Sequence, residues 1–136
     1  MRLSVARFAS WPLRRTESER ARRKVPARPM LRYCVFCEIV ARREPAMILH
    51  ETDDVIVIRN RLQWVPVMLL SMPKKHRTQG ELWEDMGTVG KAAVLMGEKH
   101  CPGGFRLLSN FGFDAMQSQK HAHVHVIGGA YLGEYA

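Results

Sequence analysis

The stretch K-H-A-H-V-H-V-I-G-G, Lys120 to Gly129, carries His121, His123 and His125 at alternate positions, half of the 6 histidines in the chain. Small and β-branched residues fill the gaps and Gly128-Gly129 ends the run, so the pattern predicts a β-strand. Successive side chains on a strand point to opposite faces. The three imidazoles therefore share one face, and Ala122, Val124 and Val126 share the other. The first face is chemical and the second belongs to a core.

On either side of this stretch the chain alternates short elements. FRLLSN, residues 105–110, reads as a strand, followed by a polar, glycine-containing loop from Phe111 to Gln117. From Gln79 to about Lys99, the residues Leu82, Met86, Val89, Ala93 and Met96 recur at steps of four and three. That spacing predicts one long helix with a Met-rich core stripe, broken at Cys101-Pro-Gly-Gly104. WVPVMLLSM, residues 64–72, predicts a strand stopped by Pro73, while MILHE and VIVIRN flank Thr52-Asp53-Asp54 and predict a hairpin. Cys34-Val-Phe-Cys37 leads into a brief helical stretch, EIVARRE, stopped by Pro45. Strands joined by tight turns with one long and one short helix imply an α+β fold, an antiparallel β-sheet with helices on one face and the other free for a ligand.

At 136 residues the chain is one ordinary domain, and nothing in it approaches the roughly 20 consecutive apolar residues of a membrane span. The formal charge of +8 invites a nucleic-acid reading, but residues 1–30 hold nine Arg and Lys against two Glu, so the remainder is nearly balanced. With no basic patch interleaved with aromatics outside that tail, nucleic acid is not the expected partner. The tail is expected to be a basic, disordered segment. Its Arg-rich, acid-poor start also fits an organellar transit peptide, and a third reading makes Met30 the true start. Three cysteines, two in C-x-x-C spacing, argue against a disulfide framework and for a reducing compartment, by default the cytoplasm.

The histidine face admits three readings: ordinary packing, a structural metal site, or covalent catalysis. Imidazoles two apart on a strand can share an ion, and Cys34 and Cys37 offer the thiolates zinc prefers. In the catalytic reading a neutral imidazole attacks phosphorus and divides one displacement into two easier ones. A neighbouring carbonyl that takes the proton of its other nitrogen sets the tautomer, and a second imidazole stabilises the phosphoryl oxygens.

The run Q-S-Q-K-H-A-H-V-H-V-I-G-G closely resembles the signature of histidine triad (HIT) proteins, and the trailing Gly-Gly resembles the Hint-like, prokaryotic-type branch. C-V-F-C-E-I-V, M-P-K-K-H and L-L-S-N follow the family's order, so the resemblance runs from about Tyr33 to Gly129, within a HIT-like catalytic domain of residues 31–136. It implies a nucleotide hydrolase or transferase acting on nucleoside phosphoramidates or dinucleoside polyphosphates. His123 is the implied nucleophile, with His125 and Ser118 as its catalytic partners and Asn110, Gln117 and Asn60 as substrate-binding residues. It further implies a structural zinc on Cys34, Cys37, His76 and His121, no catalytic cofactor, and a homodimer.

Three departures qualify the resemblance. Asn60 stands where many relatives have an acid that grips both ribose hydroxyls, and an amide cannot accept two donors as a carboxylate does. Met68 replaces a histidine that some relatives place in the third strand, and Met116 replaces a glycine before Gln-Ser, where lost backbone freedom is expected to reshape the pocket. The alternative function is a zinc-stabilised nucleotide-binding or sensing module with weak or no catalysis.

Overall fold

The described residues form five strands in the order β1-β2-β3-β5-β4, every neighbouring pair antiparallel. They are β1 (Ile48–Glu51), β2 (Val55–Arg59), β3 (Val67–Pro73), β4 (Phe105–Leu108) and β5 (Val124–Gly128). The structure, a computed structural model, describes residues 33–134, so the readings of the basic tail fall outside it. Among the described residues there are also three helices: α1 (Val35–Val40), α2 (Gln79–Glu84) and α3 (Gly87–His100). None is long and apolar enough to cross a membrane. This is the α+β, antiparallel architecture the sequence predicts.

The histidine run is a strand for only part of its length. β5 starts at Val124, so His125 sits within it while His121 and His123 precede it. The reason lies in β3: its pairing with β5 ends at Ser71↔Val124, and Pro73 beyond has no N–H to offer. Alternation survives the end of the ladder. Ala122, Val124 and Val126 pack with Val55, Val57, Leu69 and the α3 residues Val89, Ala92 and Ala93, while the imidazoles face the other way.

The predicted long helix is two. Thr78 caps α2 with a full capping box to Glu81, and Asp85 then leaves helical geometry at φ −141, ψ 67 before α3 begins. Leu82, Val89, Ala93 and Met96 stay buried across the break, which is why the apolar spacing reads as continuous. The short helix also starts earlier than EIVARRE. Cys34 is its N-cap, its Sγ accepting from the Cys37 N–H at 3.5 Å, and Arg42 at φ 61 has already left the helix.

Helices do not keep to one face. α3 covers one side of the sheet, and α1 roofs part of the other by packing Phe36 and Ile39 on Ile56, Ile58, Leu70 and Met72. The remaining open part of that second face holds the cleft described next.

Candidate active site and metal centre

A cleft of about 1020 Å³ lies beside α1, with His123, His125, Ser118, Asn60 and Arg61 among its lining residues. Apolar walls come from Phe36 and Leu70. The ring of His123 stands edge-on to Phe36, centroids 5.3 Å apart, and to His125 at 5.0 Å.

His123 is buried and tightly held. Its Nδ1 lies 2.8 Å from the carbonyl oxygen of His121. A carbonyl only accepts, so Nδ1 carries the proton and Nε2 keeps a lone pair. Burial lowers the pKa of His123, and burial followed by the neighbouring His123 lowers that of His125 to about 4. Both rings are therefore neutral at neutral pH: His123 has one nitrogen able to attack and His125 has an N–H able to donate.

The expected substrate residues divide. Asn60 lines the cleft, as does the expected catalytic partner Ser118, while Asn110 and Gln117 are not among its lining residues. Gln117 is occupied in closing its own loop, accepting from the Gly112 N–H at 2.8 Å and donating to the Gln119 carbonyl at 3.1 Å. Gln119 lines the cleft instead. Asn60 uses its side-chain oxygen to accept from the Leu62 N–H at 3.1 Å, an Asx turn that commits part of the amide. Met68 is buried, and its sulfur accepts from the Trp64 N–H at 3.3 Å.

Sequence reading passes over two residues that grip His123. Gln79 and Ser109 both donate to its carbonyl, at 3.0 and 3.1 Å, and Gln79 also accepts from its N–H at 3.2 Å. The capping box marks where α2 begins, but nothing in the pattern separates a buried Gln at that point from a solvated one.

The other buried histidine belongs to a second cluster. One ligand atom from each of Cys34, Cys37, His76 and His121 falls within 4.8 Å of the others. The S···N separations are 3.3 Å for Cys37 to His76, 3.5 Å for Cys37 to His121 and 3.6 Å for Cys34 to His121. Tetrahedral zinc with ordinary bonds sets such pairs about 3.6 Å apart, so the residues fit the ion. Orientation agrees: His121 Nε2 donates to the Pro73 carbonyl at 2.7 Å, turning a bare Nδ1 toward the thiols. Without a cation, burial and then the neighbouring Cys34 hold the Cys37 thiol up to about 11, and a bound metal removes that penalty by taking the thiolate. The cluster suits a structural zinc.

The chain is similar to several known proteins. Residues 33–135 match the family described as scavenger mRNA decapping enzyme, C-terminal binding. The chain is 35% identical over 92 residues to an uncharacterized HIT-like protein of Chlamydia trachomatis, covering 63% of this chain and 83% of that one. It is similar to the solved structure of a HIT family hydrolase from Clostridium thermocellum, with a TM-score of 0.69 at 32% identity over 78% of this chain and 98% of that one. A zinc-bound histidine triad family protein from Mycobacterium smegmatis shares the fold, with a TM-score of 0.59 at 22% identity over 76% of this chain and 79% of that one.

Proposed function

Because the chain belongs to the histidine triad superfamily, we propose that it is a hydrolase or transferase of nucleoside 5′-phosphate derivatives, phosphoramidates or dinucleoside polyphosphates, working through a nucleotidyl-histidine intermediate. The observation that carries this reading is the bond from His123 Nδ1 to the His121 carbonyl, which leaves Nε2 as a neutral nucleophile at the cleft.

In the first step Nε2 attacks the α-phosphorus, a P–N bond forms, and the bond to the amine or phosphate leaving group breaks as that group takes up a proton from solvent. Water or another acceptor then attacks the phosphorus, loses its proton to solvent, and breaks the P–N bond, whose electron pair returns to Nε2. His125, neutral and 5.0 Å from His123 between ring centroids, donates to the phosphoryl oxygens, and the exposed Ser118 hydroxyl helps hold the phosphate. Cys34, Cys37, His76 and His121 would hold a zinc ion that supplies structure, with no position left open for chemistry.

A second reading, a zinc-stabilised nucleotide-binding module, draws on Asn60, whose side-chain oxygen is already engaged and grips a ribose less well than a free carboxylate. Turnover of adenosine and guanosine phosphoramidates and a diadenosine polyphosphate, by the parent and by His123→Ala, separates the two. We further propose a homodimer: β4 is an edge strand of the described sheet and Leu107 on it is partly exposed, an edge that a second copy can cover. The three free cysteines favour a reducing compartment, the cytoplasm.

A further inference from the structure

His123 lies one position beyond the sheet. On one side the ladder of β5 ends at Ser71↔Val124, and on the other at Leu108↔His125. A buried residue at that point has a backbone N–H and C=O with no strand to meet them, and such groups are satisfied elsewhere or cost stability. Here the side chain of Gln79, only 3% exposed, meets both. Its Oε1 accepts from the His123 N–H at 3.2 Å and its Nε2 donates to the His123 carbonyl at 3.0 Å. A primary amide presents one acceptor and two donors, so it stands in for the peptide group of an absent strand.

We infer that Gln79 is a positioning residue for the nucleophile, replacing the missing rung at His123 and so fixing the direction of its ring. The inference rests on the catalytic role proposed for His123. The surroundings hold Gln79 in register. The Ala122 N–H donates to the Arg77 carbonyl at 2.8 Å, so residues 77–79 run alongside residues 122 and 123. The Thr78–Glu81 capping box fixes the start of α2 in the same segment. Ring and backbone of His123 are then tied at three points: Nδ1 to His121, N–H to Gln79, and C=O to Gln79 and Ser109. Gln79 Nε2 also approaches the Asn110 carbonyl at 3.4 Å, at the entry to the loop that carries Ser118.

The test compares full-length, zinc-loaded parent with Gln79→Ala and Gln79→Glu. Glutamate keeps the shape and still accepts from the His123 N–H, but it sets a carboxylate against the carbonyls of His123 and Asn110. Small displacements of a reacting group are costly, so kcat should fall by about 10- to 100-fold in both variants while Kd for adenosine 5′-monophosphate stays within about threefold. Amide hydrogen exchange at His123 should rise at least about tenfold in Gln79→Ala, with Val126 in mid-strand unchanged and one zinc per chain retained. Unchanged exchange at His123 in folded Gln79→Ala overturns the inference, as does kcat within about threefold of the parent. If the parent turns over no substrate, the catalytic reading has failed independently, and the exchange rate at His123 still decides whether Gln79 holds that backbone.

Discussion

At the scale of single residues, burial decides the chemistry of the cleft imidazoles. An imidazole removed from water binds its proton less readily, and the half-buried His125, with a pKa lowered to about 4 from 6.5, stands next to the buried ring of His123. Between those two values the unfolded chain binds more protons than the folded one, so this contribution to stability is lost as pH falls through the window. Activity follows the same sign, because attack needs neutral His123 and its pKa is lowered too. The acid limb of kcat/KM, which reports the free enzyme, should therefore lie below 6.5, with activity steady from neutrality down to that point. A limb centred above 6.5 contradicts the neutral pair. The shared face of the three imidazoles was legible from spacing alone, since side-chain alternation is local. The Gln79 bonds were not, because they join residues 44 apart in sequence.

At the scale of elements, the loop between β4 and β5 answers the question raised by Met116. This residue adopts φ 58, the left-handed region glycine prefers, and its side chain is 81% exposed. The turn is closed by the Met116 N–H to the Phe113 carbonyl and the Gln117 N–H to the Gly112 carbonyl, at 2.9 and 3.0 Å. Methionine thus accepts the strained conformation, and the cost falls on stability. Met116→Gly should raise the free energy of unfolding by roughly 1 kcal/mol, read by urea denaturation, with turnover within about twofold. No gain in stability would contradict the strain account. The strands were readable to within a few residues because alternation and turn residues are local signals. The break at Asp85 was hidden by an apolar stripe that continues on both sides of it, and the cover over the second face was hidden because Phe36 and Ile39 meet partners far along the chain.

At the scale of the whole molecule, the zinc cluster joins three distant parts of the chain. Cys37 meets His76 across 39 residues and His121 across 84, so the ion would tie α1 to the end of β3 and the approach to β5. His121 belongs to that cluster and also lends its carbonyl to His123, so the metal centre and the cleft share a residue. A ligand that binds only the folded state stabilises it by about 4 kcal/mol at a thousandfold excess over its dissociation constant. Chelation should release one zinc per chain and lower unfolding stability by about that amount, measured by denaturation with and without added zinc. Stability indifferent to chelation would remove zinc from the account. The cluster was visible in the sequence only as a C-x-x-C and two histidines, and it took the family resemblance to join them.

During turnover His123 should carry the nucleotide. The most direct measurement mixes parent and His123→Ala with adenosine and guanosine phosphoramidates and a diadenosine polyphosphate, follows nucleoside monophosphate by chromatography, and weighs the rapidly denatured protein. Monophosphate release and a transient nucleotidyl adduct on the His123 peptide of the parent are expected, both lost in a variant that still binds nucleotide. A folded, zinc-loaded parent that binds nucleotide but gives neither product nor adduct would contradict that expectation and leave the binding module.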